Sequence, residues 1–162
     1  MSHPSSRYDF KDKAGDYGRL AQELESLLAG ERDPIANAAN TASLIFNALP
    51  EVNWAGFYLL KDGELVVGPF QGKPACVRIA LGKGVCGTAA AERRTVLVPD
   101  VHAFPGHIAC DEASRSEIVV PLLTKDGLLG VLDLDSPRVA RFDDLDRRGL
   151  ERLAAIFLSS LT

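Results

Sequence analysis

EIVVPLLTKDGLLGVLDLD, residues 117–135, decides how this chain folds. Two apolar runs, residues 117–123 and 128–134, flank Lys125-Asp126-Gly127, a hairpin turn signal. The stretch therefore reads as two antiparallel strands. Asp133 and Asp135 end the second strand, and with a side-chain period of two they share one face, roughly 6.5–7 Å apart. Leu129 and Val131 precede them on that face, so both carboxylates are expected at the rim of a buried surface. Carboxylates in such a place have perturbed pKa values and can keep a proton for donation. A solvated strand end is the plainer reading, but it needs only one acid. Glu117 opens the partner strand, and the hairpin brings it to the level of Asp133 and Asp135.

The segment that leads into this hairpin is HAFPGHIACDEASRSEIVV, residues 102–120. It is too polar for a core and reads as a functional loop at the sheet edge. Cys110 lies in it beside Asp111, Glu112 and Arg115, with His102 and His107 upstream. Exposure on a loop suits a nucleophilic thiol, and Arg115 or a histidine would favour the thiolate while the acids oppose it. Three acids and a loop cysteine are thus expected to line one pocket. Cys86, in GKGVCGTAA, sits at the start of an alanine-rich helix (residues 85–93). Helix N-termini favour anions, so on local physics this thiol rivals Cys110. The competing reading is a small apolar residue packed under a glycine-rich turn. Gly82, Gly84 and Gly87 do not form a phosphate loop. Cys76 stands beside the loop GPFQGKP (residues 68–74), at the start of a predicted strand over residues 76–81. Trp54 and Tyr58 fall on one face of a central strand, residues 53–60, with Phe104 placed to cover them. Core packing is the usual role of such aromatics, and a wall for an apolar or cationic group is the alternative.

Outside these segments the pattern is plain. Residues 1–15 are polar. From Asp16 a helix carries Leu20, Leu24, Leu27 and Leu28 on one face and stops at Gly30. Asp33-Pro34 supplies a cap and a first-turn proline for a second helix that runs to Pro50. Lys61-Asp62-Gly63 marks another hairpin turn before a strand over residues 64–67. A strand at residues 95–98 precedes the cysteine loop. Asp143 caps a closing helix, residues 143–161. Helices, strands joined by two hairpins, then a helix argue an α+β fold with an antiparallel sheet and helices on one side.

The 162 residues favour one domain, with residues 16–162 as the globular unit. A net charge of −4 without a basic run offers no footprint for nucleic acid or an anionic membrane. No apolar stretch is long enough for a membrane span, and the N-terminus has no signal-peptide core. A reducing cytoplasm is the expected location. Three cysteines do not make a disulfide scaffold, and their spacings match no zinc knuckle. His107-x-x-Cys110 with a carboxylate is a weak metal candidate, which would suit a metal-dependent hydrolase.

Taken together, NWAGFYLL, GPFQGKPACVRIALGKGVCGTAA, VLVPDVHAFPGHIACDEASRSEIVVP and GVLDLDSPRVARFDDLD closely resemble the free methionine-(R)-sulfoxide reductases. These are single GAF-domain enzymes, and the resemblance runs from about Tyr17 to the C-terminus. It implies a GAF-like sheet of about six antiparallel strands and a homodimer. Cys110 matches the catalytic cysteine, Cys76 the usual resolving cysteine and Cys86 the third, auxiliary one. Glu117, Asp133 and Asp135 match the acids that hold the substrate's polar groups. Trp54 matches an aromatic of the methyl-sulfoxide pocket, with Tyr58 beside it. The implied reaction reduces free L-methionine-(R)-S-oxide without a bound cofactor or metal, using thioredoxin or a similar dithiol as external reductant. The resemblance leaves open whether Cys76 or Cys86 resolves the sulfenic acid and which acid gives the proton. The alternative is a non-enzymatic GAF module that binds a small ligand or senses redox state.

Overall fold

The computed structural model describes residues 8–107 and 111–162. Along the chain these form α1 (Lys13–Leu28), α2 (Pro34–Ala48), β1 (Trp54–Lys61), β2 (Glu64–Gly72), β3 (Arg78–Ala80), α3 (Gly84–Glu92) and β4 (Val96–Val98). A single 3₁₀ turn (Val101–Ala103), β5 (Ser116–Thr124), β6 (Gly127–Ser136) and α4 (Asp144–Ser160) follow. The six strands make one sheet in the order β3-β2-β1-β6-β5-β4, and the paired strands run antiparallel.

The local signals act as expected at most ends. Asp33 accepts from the Ala36 N–H with Pro34 in the first turn of α2. Asp143 accepts from the Leu145 and Asp146 N–H groups, and Asp146 returns the bond to the Asp143 N–H, a complete capping box for α4. The β1–β2 turn has both central residues, Asp62 and Gly63, at positive φ, as a tight hairpin with the native twist requires. Helix α1 begins three residues ahead of Asp16, because Asp12 accepts from the Gly15 N–H and caps it there. The chain just before it also docks: Phe10 is buried with its ring centroid 4.9 Å from that of Tyr17.

Two strands differ from expectation. Residues 68–72 belong to β2 and not to a loop, since β2 pairs with β1 as far as Trp54↔Gly72. A bulge between Gly56 and Tyr58 absorbs the irregularity at Gly68-Pro69, where proline has no N–H to give a ladder. Conversely, β3 is an edge strand of only three residues, so Cys76 precedes it on a connecting segment.

The sheet has two covered faces. On one, α1, α2 and α4 pack against Phe57, Ile118, Val120, Leu122, Leu132 and Leu134, with Phe57 and Phe157 at 4.7 Å between centroids. The near approach of α1 to α4 depends on Gly149, where a Cβ would lie 2.2 Å from the Tyr17 ring. On the other face, α3 covers Trp54, Tyr58, Val119 and Val131. Leu129 does not share the face of Val131. It packs with the first cluster, because a second bulge at the Leu122/Leu123 step leaves it as an extra residue and reverses the alternation.

Candidate active site

Three neighbouring strands place the site. Across the sheet, Glu117 of β5 pairs with Asp135 of β6, and Asp135 pairs with Trp54 of β1. Two residues along, Val119, Asp133 and Gly56 form the parallel row. The period of two then sends Trp54, Tyr58, Glu117, Asp133 and Asp135 to the face under α3. They line a cleft of about 550 Å³, its open mouth included, together with Cys86, Lys83, His107, Asp111 and Ser114. The hairpin therefore brings Glu117 level with the two aspartates, as its sequence predicts.

Burial dominates the electrostatics. Glu117 and Asp133 are buried, and Asp135 is half-buried on the cleft wall. All three carboxyl groups are pushed above the ordinary carboxylate range, first by loss of water. Glu117 and Asp135 are raised further by the charge of Asp133. Asp133 is held back by hydrogen bonds from Glu117 and Cys86. Asp135 is likewise held back by a hydrogen bond from Glu117, so the Glu117 carboxyl group is shared between the two aspartates.

Cys86 sits in the first turn of α3 with its Sγ 4.0 Å from Glu117 Oε2. Its thiol is raised well above the ordinary value, by burial first and then by the three acids. The helix-dipole expectation of a lowered pKa is overturned, because desolvation and facing carboxylates outweigh half a unit of helix charge. Cys86 is buried, as the packed-residue reading has it, and it also lines the cleft. Cys76 is disulfide-bonded, and Cys86 is a free thiol. Cys110 lies outside the described residues.

The aromatic pair serves two purposes. Trp54 and Tyr58 stack at 5.8 Å, and Phe70 also stacks on Trp54 at 5.1 Å. The Trp54 Nε1–H donates to the Lys73 carbonyl at 3.1 Å, and the Tyr58 hydroxyl to the Cys76 carbonyl at 2.9 Å. Both polar ends fasten the segment that carries Cys76, while both residues also line the cleft. Phe104 packs on this cluster. His107 lines the cleft, and its pKa is lowered by burial and by His102, so it tends to the neutral form.

Sequence reasoning missed three contributors. Asn53 donates its Nδ2–H to Asp111 Oδ2 (3.1 Å) and Ser114 Oγ (3.2 Å), which ties the segment after Cys110 to β1. Ser114 and Lys83 also reach the cleft wall. Nothing in their local sequence marks them. The N-terminus of α3 was legible only as a glycine-rich start; no side chain caps it, and Gly84, Val85 and Cys86 face the cleft.

Comparison with known proteins agrees with this geometry. A GAF domain family model matches residues 36–158. The free methionine-R-sulfoxide reductase of Escherichia coli is 53% identical over 144 residues, covering 89% of this chain and 87% of that protein. The chain belongs to the free methionine-(R)-sulfoxide reductase family. The Saccharomyces cerevisiae free methionine-R-sulfoxide reductase is 46% identical over 150 residues, or 88% of this chain and 83% of its own length. Among solved structures, the Neisseria meningitidis free methionine-R-sulfoxide reductase in complex with its substrate superposes with a TM-score of 0.91. It is 46% identical, covering 96% of this chain and 93% of that one. Members of this family are oxidoreductases on a GAF fold, and the sheet order and helix placement here are of that kind.

Proposed function

We propose that the protein reduces free L-methionine-(R)-S-oxide to L-methionine through Cys110, with Glu117, Asp133 and Asp135 as the polar wall of the pocket. The observation that carries this is the facing of two unlike ends across one cleft. Three carboxyl groups whose pKa values are raised by burial stand on the β5–β6 side. On the other side stands an uncapped helix N-terminus with Lys83 beside it. A free amino acid has the two charges that fit: an ammonium for the carboxylates and a carboxylate for the N–H groups of α3. A peptide-bound methionine sulfoxide has neither, and would leave these groups desolvated and unpaired. Trp54 and Tyr58 offer an apolar wall to the methyl end.

The chemistry follows from those positions. The sulfur of Cys110 attacks the sulfoxide sulfur, and the sulfoxide oxygen takes protons from the acid cluster, with Asp135 or Glu117 as donor. Oxygen passes to Cys110 as the S–O bond to substrate breaks, giving a sulfenic acid and methionine. The Cys76 thiol then condenses with the sulfenic acid to a disulfide and releases water. The engagement of Cys76 in a disulfide, against the buried free thiol of Cys86, supports Cys76 in this step. Thioredoxin or a similar dithiol restores both thiols by exchange. The working form is a homodimer in the cytoplasm, as the resemblance implies.

Single-turnover assays test this. Cys110→Ser is expected to abolish methionine formation from the free sulfoxide. Cys76→Ser is expected to spare one turnover per chain and stop recycling by thioredoxin. Reduction of free methionine-(R)-sulfoxide by Cys110→Ser would refute the assignment.

A further inference from the structure

Cys86 has no step in the reaction above, yet among the described residues it is a free thiol whose sulfur faces the acids. Its Sγ, one oxygen of Glu117 and one of Asp133 all lie within 4.8 Å of one another, and all three residues are buried. Asp133 is only 5% exposed, and among the described residues its Oδ1 has no hydrogen-bond partner. An oxygen that is desolvated and unpaired is costly and calls for a ligand. One sulfur and two carboxylate oxygens suit Zn²⁺ better than the oxygen-seeking Mg²⁺ or Ca²⁺, which take six or more oxygens. Tetrahedral Zn²⁺ bonds set sulfur and oxygen about 3.6 Å apart. The 4.0 Å from Sγ to Glu117 Oε2 exceeds this by a few tenths of an ångström, within reach of side-chain adjustment.

We propose that Cys86, Glu117 and Asp133 form a Zn²⁺ site at the floor of the cleft, and that Zn²⁺ held there blocks the pocket. The ion takes one sulfur and two oxygens and leaves its fourth position to water from the cleft. A coordinating thiol gives its proton to the buffer as the ion binds. Zn²⁺ covers the acids that the substrate's ammonium needs, so it competes with the free sulfoxide. The ion site stands on geometry alone; only the competition rests on the reductase reading.

The binding arm uses Cys76→Ser/Cys110→Ser, which leaves Cys86 as the sole cysteine. Titration with Co²⁺ is expected to give a near-ultraviolet thiolate-to-cobalt band that Zn²⁺ removes. Adding Cys86→Ser is expected to abolish the band. Glu117→Gln or Asp133→Asn in the same background is expected to weaken Zn²⁺ binding at least tenfold by calorimetry. No band in the folded Cys86-only protein, checked by circular dichroism, would overturn the site. So would Zn²⁺ binding unchanged by both carboxyl substitutions. In the activity arm, Zn²⁺ is expected to raise KM for free methionine-(R)-sulfoxide in the natural protein with kcat unchanged. Half-inhibition is expected to need at least tenfold more Zn²⁺ in Cys86→Ser, relative to that variant's own uninhibited rate. An equal requirement in both proteins would overturn the blocking role. A cobalt band in the Cys86-only protein, together with no reduction of the free sulfoxide by the natural protein, would keep the ion site and reject the reductase reading.

Discussion

The face of the sheet under α1, α2 and α4 and the face under α3 come from the same three strands and follow opposite rules. Toward the three helices, β1, β5 and β6 present Phe57, Ile118, Leu122, Leu132 and Leu134. Toward α3, alternate residues of the same strands present Trp54, Tyr58, Glu117, Asp133 and Asp135. Burying a large apolar side chain contributes about 1.5–3 kcal/mol, whereas burying a carboxyl group costs free energy unless it is paired. One face therefore supplies stability, and the other spends some of it to hold desolvated acids in place. The two tasks separate residue by residue along a strand, so a single substitution can address either alone.

The largest expected effect breaks the apolar face. Phe157 is fully buried against Phe57 at the centre of the first cluster. Phe157→Ala is expected to lower unfolding free energy by about 3–5 kcal/mol in urea titrations. At a temperature where the variant remains folded, kcat/KM for the free sulfoxide is expected to stay within about twofold. A collapse of activity in the folded variant would mean that the faces are not separable.

The pocket face should respond to pH in the reverse sense of an ordinary salt-bridged acid. Glu117 has its pKa raised by burial and by Asp133 and Asp135. The folded protein therefore keeps a proton that the unfolded chain has already released. The contribution of Glu117 to stability is highest below the ordinary carboxylate range and falls as pH rises from there towards the raised value. The slope is about 1.4 kcal/mol per pH unit for each proton retained. Glu117→Gln removes one such group, so its urea midpoint is expected to fall less steeply as pH rises above the ordinary carboxylate range. Activity is expected to drop about 10²- to 10³-fold, because the amide holds no exchangeable acid proton. A pH slope identical to that of the natural protein would show that Glu117 is ionised in the fold.

What was legible in the sequence follows the range of the forces involved. The Asp33-Pro34 start, the Asp143 cap and both hairpin turns depend on a few adjacent residues, and each is found where its signal lies. The acid cluster was legible because two-residue periodicity and one short turn fix Glu117, Asp133 and Asp135 relative to each other. Where partners from afar decide, reading failed. The bulge that turns Leu129 away from Val131 is set by how β5 meets β6, and the length of β2 by its pairing with β1. The thiol of Cys86 illustrates the same point at the site. Its helix position was visible locally, but the three acids that face it come from elements 31 to 49 residues away in sequence. Asn53 carried no local mark at all, since its role exists only once Asp111 and Ser114 are beside it.

The smallest effect sharpens the comparison most, because it lies on the pocket face and leaves the acids untouched. The Tyr58 hydroxyl donates to the Cys76 carbonyl, and the ring itself is packed between Trp54 and the second cluster. Tyr58→Phe keeps the ring and removes only that bond, a loss of about 0.5–1.5 kcal/mol. The bond anchors the segment that carries Cys76, and the substitution leaves the ring of the proposed substrate wall in place. The first turnover is therefore expected to be nearly unchanged, while the later step that forms the disulfide slows several-fold, as read by quench-flow thiol counting. If instead the first turnover slows and recycling does not, Tyr58 contributes through its hydroxyl to the substrate wall, and the anchoring role is wrong. A stability loss above about 3 kcal/mol would place Tyr58 with the apolar face in kind, although it stands on the other side of the sheet.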